Sequence, residues 1–203
     1  MCRNVFKSGN WAEKGGNFIK HALVVGGTGM ISRVSLWLLD QEYHVSVIAR
    51  NPTRMNKLLE WTDLNNHVTP LILDYNNYAE LQEKVRTTIN ENGEIDMVVA
   101  WIHSTAPDAL KVIAKEVSIS NRNWNLFHIL GSSSDLKKIK SEVILPMNCS
   151  YHQVQLGFLI EGNHSRWLTH KEISDGVIEA IEKRKNILTI GQTNSQEKHP
   201  FKQ

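Results

Sequence analysis

Short apolar runs alternate along this chain with segments whose apolar residues recur at helical spacing, and no other feature restricts its fold as much. The runs are ALVVGG (22–27), HVSVIAR (44–50), HVTPLILD (67–74), IDMVVAWI (95–102), WNLFHILG (124–131), YHQVQLGFLI (151–160) and NILTIG (186–191). Between the first two, Ile31, Val34, Trp37 and Leu38 form a helical stripe. Pro52 suits the first turn of a helix running toward Trp61. Leu81, Val85 and Ile89 mark a third helix with Gly93 as its C-cap, and Leu110, Ile113, Ala114 and Val117 a fourth after Pro107. Thr169 and Glu172 make a capping box for a last helix whose apolar face is Ile173, Val177, Ile178 and Ile181. Strand–helix alternation of this kind predicts an α/β fold: a doubly wound, mainly parallel Rossmann sheet of about seven strands with helices on both faces. Ligands of such sheets bind beyond the carboxyl ends of the strands, so function is sought just after each apolar run.

Composition narrows the setting. The 203 residues suffice for one domain with a full core, and 41% hydrophobic with 22% charged residues is ordinary for a globular chain. Residues 1–20 read as a disordered extension, 21–193 as the folded Rossmann domain and 194–203 as a flexible tail. A net charge of +2 predicts no nucleic-acid partner. The Lys183-Arg184-Lys185 cluster is placed to end the last helix, where cations favour the dipole. No apolar run reaches the roughly 18 residues of a membrane helix. The first twenty residues lack the apolar core of a secretory signal. Cys2 and Cys149 give no disulfide framework. The expectation is a cytoplasmic protein without a membrane partner, and a homo-oligomer stays open. The nine histidines show no ligand spacing backed by cysteine or carboxylate, so no metal is expected.

The turn after the first run, Gly26-Gly27-Thr28-Gly29-Met30-Ile31-Ser32, carries the clearest functional signal. Gly26, Gly29 and Ser32 occupy the three positions of a dinucleotide fingerprint: one for a tight turn, one for close approach of a pyrophosphate, one small for helix–strand packing. The helix that follows offers free N–H groups to the phosphates. At the end of the second run an NAD site would place Asp or Glu against the ribose 2′-hydroxyl. This chain has Arg50 and Asn51 there, with Arg54 one turn on, and a guanidinium suits a 2′-phosphate. The pattern favours NADP(H) over NAD(H). Asp74, after the third run, either accepts from an adenine amino group or caps the next helix. Ala100 to Ser104 should line the cofactor ribose.

Together these residues resemble the short-chain dehydrogenase/reductase superfamily, in particular its atypical, divergent members, over about 21–193. GGTGMIS looks like that family's glycine motif, ARNPTR like the NADP-selecting end of its second strand, and LDYNN like its adenine-contacting Asp. ILGSSS sits where the family's catalytic Ser follows the fifth strand. The resemblance implies hydride transfer between NADP and a carbonyl or alcohol, with a Tyr moving the proton and a Lys four residues later lowering its pKa. A Tyr near pKa 10 needs such help to act as a base. The pair is missing. Four residues after Tyr43, Tyr75, Tyr78 and Tyr151 stand Val47, Ala79, Gln82 and Gln155. Tyr151 itself begins a strand-like alternation. The remaining catalytic candidates are His103, after the fourth run, and Ser132 and Ser133, with Ser134 beside them; the serines could instead cap the short helix that follows. His164, Arg166 and His170 around Trp167 read as surface residues of a loop that could cover the pocket. Two functions fit: an oxidoreductase of short-chain dehydrogenase type with a non-standard active site, acting on a small carbonyl or alcohol, or a non-catalytic NADP(H)-binding redox sensor.

Overall fold

A computed structural model describes residues 19–62, 67–162, 164–193 and 200. The expected extension and tail lie, apart from residues 19, 20 and 200, outside the described residues. The domain begins with β1 (His21–Val25), α1 (Ser32–Asp40), β2 (His44–Ala49), α2 (Pro52–Glu60), β3 (Val68–Ile72), α3 (Tyr78–Asn92) and β4 (Ile95–Trp101). It continues with α4 (Ala109–Val117), β5 (Trp124–Leu130), α5 (Leu136–Glu142), β6 (Cys149–Leu156), β7 (Phe158–Glu161), β8 (His164–Trp167), α6 (His170–Lys183) and β9 (Ile187–Ile190). Seven strands form one sheet in the order β3-β2-β1-β4-β5-β6-β9. Every neighbouring pair in it is parallel.

All five residues of β1 are buried, as expected of a parallel strand covered on both faces. Val24, Val47 and Phe127 face α1, α2 and α6 through Val34, Leu38, Met55, Leu58 and Val177. Leu23, Ile48, Val98 and Leu126 face α3 and α4 through Leu81, Val85, Leu110 and Ile113. Each such side chain contributes about 1.5–3 kcal/mol on burial. The chain winds outward from β1 to β3 and then crosses back to β4, so the carboxyl ends of β1 and β4 diverge at a switch point and leave a crevice.

Two segments differ from the sequence reading. YHQVQLGFLI is not one strand. It breaks at Gly157, where a Cβ would collide with the Gln192 carbonyl oxygen. Beyond the break Phe158 exchanges backbone hydrogen bonds with Gln192, and the chain leaves the sheet. The segment expected as a loop around Trp167 is instead β8, which pairs antiparallel with β7 in a hairpin, Phe158 opposite Trp167 and Ile160 opposite Ser165. The sequence HSRW carries no apolar alternation, so only pairing reveals it as a strand.

At the amino edge of the sheet, polar groups satisfy one another. His21 donates from Nδ1 to the Gly93 carbonyl at 2.8 Å, which leaves Nε2 to accept from the Ser46 hydroxyl at 2.8 Å. Ser46 in turn accepts from Thr88 at 2.7 Å, and Thr88 from the Asn92 amide at 2.9 Å. Asn92 also donates to Thr69, which hydrogen-bonds His44. His21, Ser46 and Thr88 are fully buried.

Candidate functional site

The glycine turn sits at the switch point. Gly26 leaves β1 with φ at 78°, a conformation that costs glycine nothing, and its N–H donates to the Ile48 carbonyl at 2.9 Å. Close packing of helix on strand falls on Gly27. A Cβ there would stand 2.7 Å from Ser35 Oγ and 2.8–2.9 Å from the Val47 and Val24 side chains. Ser32, the residue expected to bear this contact, is only half-buried in the first turn of α1. Above Gly29 the space is open: its Cβ would meet only the Gly26 carbonyl oxygen, at 3.7 Å. Residue Ile31 offers no side-chain cap to α1, and no acidic residue lies in its first turn. The positive end of the helix therefore faces open space beside Thr28, Gly29 and Met30, where an anion is favoured.

Arg50 stands exposed just past β2, its guanidinium 5.9 Å from the centre of the Tyr75 ring. Asn51 is committed to capping α2, its Oδ1 accepting from the Arg54 N–H at 3.0 Å. Among the described residues neither Arg50 nor Arg54 is held in an ion pair. Asp74 does not cap α3; Asn77 does, accepting from Glu80 N–H. Asp74 folds instead onto Asn76, whose backbone and side-chain amides donate at 3.0 and 2.7 Å. Those hydrogen bonds, with Arg50 adding its charge, hold the exposed carboxyl below its usual range.

Tyr75 is a residue the sequence reading passed over. It is buried, lies under Arg50, and its hydroxyl accepts from the His103 N–H at 3.3 Å. It thereby braces the ends of β2, β3 and β4 against one another. The only signal for it was an aromatic residue in an otherwise polar loop. Ala100 is fully buried within β4. The next residue, Trp101, forms the wall of the turn, its carbonyl oxygen 3.1 Å and its Cδ1 3.5 Å from the Cβ position of Gly26. His103 is exposed, and its Nδ1 accepts from the Thr105 N–H at 3.3 Å. A neutral imidazole so held carries its proton on Nε2.

The serine loop follows β5. Ser132, Ser133 and Ser134, with Asp135, Leu136, Lys137, Gln155 and Thr193, line a cavity of about 360 Å³. Gln155 fixes the loop by donating to the Ser132 and Ser134 carbonyls at 3.3 and 2.9 Å. The serines do not cap α5; Asp135 does, accepting from the Lys138 N–H at 3.0 Å. Tyr151 lies on β6, as its alternation implies, and its hydroxyl meets His128 Nδ1 at 2.9 Å. Burial pushes the phenol up to about 12 and the imidazole down to about 4, so neither titrates near neutrality. Arg166 belongs to the hairpin and grips Glu161 and Glu172, and His170 opens α6. Lys183 ends α6 and Arg184 is its C-cap, as expected. Among the described residues no group of three or more His, Cys, Asp or Glu is placed to hold a metal ion, and no helix is long and apolar enough to cross a membrane.

A seven-stranded parallel sheet in this order, with an open glycine turn at the switch point, defines a doubly wound α/β protein of Rossmann type. Comparison with solved structures specifies it: the chain has the fold of the short-chain dehydrogenases/reductases. A provisionally named 3-oxoacyl-reductase from Bacillus thuringiensis superposes with a TM-score of 0.68 at 15% identity, over 90% of this chain and 100% of the other. A provisionally named short chain dehydrogenase/reductase family oxidoreductase from Aeromonas hydrophila gives 0.63 at 14%, over 87% and 100%. ElxO with NADP bound gives 0.63 at 12%, over 85% and 97%. No family model and no curated protein sequence matches the chain.

Proposed function

We propose that this chain is a divergent short-chain dehydrogenase/reductase that binds NADP(H) at the carboxyl edge of its sheet and works in the cytoplasm as an oxidoreductase on a small carbonyl or alcohol. The observation that carries the reading is Arg50. It is a guanidinium over Tyr75, held in no ion pair among the described residues, just past β2, on the side of the crevice where the glycine turn lies open. The residues present fit the cofactor: no Cβ fills the space above Gly29, and no carboxylate stands at the end of β2 to repel a 2′-phosphate. Gly26, Gly27, Thr28, Gly29, Met30 and Ser32 would shape the diphosphate cradle. Arg50 and Arg54 would take the 2′-phosphate, with Asn51 holding the start of α2 beneath them, and Asp74 the adenine amino group. The strand end from Ala100 to Ser104 would flank the ribose. Bound NADP(H) supplies the hydride. The chain would supply the proton from His103 Nε2, and hydrogen bonds to a substrate oxygen from Ser132 or Ser133 at the mouth of their cavity. ElxO, similar in fold, was solved with NADP bound, which agrees with this choice of cofactor.

Calorimetry with NADPH, NADP, NADH and NAD tests the reading. A cofactor at one hundred times its Kd stabilises the fold by about 2.7 kcal/mol, so a thermal shift reports it as well. The phosphorylated pair should bind more tightly; tighter binding of NADH would overturn the assignment of Arg50.

A second reading, a non-catalytic NADP(H)-binding sensor, is favoured by one observation: Tyr151 is spent on a strand against His128, and Gln155 stands where a lysine would assist it. A carbonyl panel followed by NADPH absorbance separates the two. Turnover reduced at least tenfold in His103→Ala or in the triple Ser132/Ser133/Ser134→Ala variant supports the enzyme. Tight NADPH binding with no turnover across the panel supports the sensor. Tyr151→Phe should leave any activity intact, and its loss would refute the placement of the proton donor.

A further inference from the structure

The last helix reaches back to the glycine turn. Ser174 of α6, fully buried, donates from Oγ to the Met30 carbonyl at 2.8 Å across a separation of 144 residues. Serine is a mediocre helix former and an unfavourable buried residue unless its hydroxyl is satisfied, so this position is explained by its distant partner rather than by its helix. The neighbouring pair Arg33 and Asp175, 3.8 Å apart, joins the same two helices at the surface.

The peptide that Ser174 grips is the one that matters for a phosphate. A trans peptide is planar, and its N–H points opposite to its carbonyl. Holding the Met30 carbonyl toward α6 therefore turns the Ile31 N–H to the opposite side. Among the described residues the Met30 and Ile31 amides donate to no backbone carbonyl, whereas Gly29 and Ser32 on either side of them do. The Gly29 space and the uncapped start of α1 lie at the same turn.

We propose that Ser174 is a positioning residue for the dinucleotide turn: without touching the ligand, it fixes the Met30–Ile31 peptide so that its N–H stays aimed at a diphosphate. The inference rests on the glycine turn being the diphosphate site. The test is calorimetry of full-length wild type, Ser174→Ala, Ser174→Cys and Ser174→Thr with two probes. NADPH carries a diphosphate; 2′-AMP has none and would engage only the Arg50 side. NADPH affinity should fall about tenfold in Ser174→Ala and Ser174→Cys, equivalent to about 1.4 kcal/mol. It should hold in Ser174→Thr, which keeps the hydroxyl, while 2′-AMP affinity stays unchanged in all three. The cysteine variant conserves size and replaces a strong donor with a weak one, so it decides the matter if the alanine variant does not fold. Equal losses for both probes, unchanged NADPH affinity in the cysteine variant, or a threonine variant as weak as the cysteine one would overturn the proposal. Wild type that binds 2′-AMP and not NADPH would instead remove the diphosphate reading itself, and the proposal with it.

Discussion

The same seven strands end in two different chemistries. At their amino edge, His21, Ser46, Thr88, Asn92, Thr69 and His44 form one connected chain of hydrogen bonds inside the protein. At their carboxyl edge, neither Arg50 nor Arg54 is held in an ion pair among the described residues, the space above Gly29 is open and the start of α1 is uncapped. A buried polar network that is fully satisfied stabilises and rigidifies; an edge whose polar groups lack internal partners has them available for a ligand. The contrast separates residues that hold the fold from residues that serve a function, and it makes substitutions at the two edges act on different measurements.

The largest expected effect crosses that division. Gly27→Val places a side chain where Ser35, Val47 and Val24 leave less than 3 Å to a Cβ. Overpacking of this severity should cost about 3 kcal/mol in chemical denaturation, although Gly27 lies at the carboxyl edge. A variant as stable as wild type would mean that α1 is free to slide on β1. Next comes Arg50→Asp, which should weaken NADPH binding by about 2 kcal/mol, since it removes a charge-assisted contact, and shift the melting temperature little, since Arg50 is exposed and only lies over the Tyr75 ring. Its mirror at the other edge is Thr88→Val. That isosteric change takes away the donor to Ser46 and one of the two acceptors of the Asn92 amide, and should cost about 1.5 kcal/mol of stability with no change in NADPH affinity. Altered cofactor binding in Thr88→Val would break the comparison. The smallest effect is the response to acid. Burial lowers His44 from its ordinary 6.5 to about 4 and moves His21 in the same direction. Both fold with neutral rings, so the unfolded chain binds more protons, and stability should fall as the pH drops from about 6.5 toward about 4. In Thr88→Val, with the network interrupted, that slope should change; in Arg50→Asp it should not.

Much of the fold was legible in the sequence because its signals are local. Gly93 and the Thr169–Glu172 box mark helix ends through backbone hydrogen bonds made within a few residues. The apolar runs became strands because only a sheet covered on both faces accepts them. The hairpin was not legible. Its second strand, HSRW, has no periodicity and exists by pairing with β7, and Gly157 ends β6 because the chain at Gln192, far away in sequence, passes too close for a side chain. Within the site, the identities of Gly26, Arg50 and Asp74 could be read, yet their immediate partners could not. Close packing lay with Gly27 and not Ser32, the cap of α3 with Asn77 and not Asp74, and the cap of α5 with Asp135 and not the serines. Each pair of alternatives is one to five residues apart, closer than periodicity resolves.

The sequence by itself determined the order of strands and helices outside the hairpin, the open turn after the first strand, the cation at the end of the second and the absence of a Tyr–Lys pair. These depend on residue type and near neighbours. Only the tertiary structure decided that Tyr75 props Arg50 and His103, that Trp101 walls the turn, that Tyr151 is spent on His128, and that Ser174 holds the Met30 carbonyl. Each of those joins residues at least 23 positions apart, and only in Trp101 against Gly26 is either partner a glycine. Side-chain contacts at such separations follow from how the sheet twists and the helices seat on it, which no local pattern encodes.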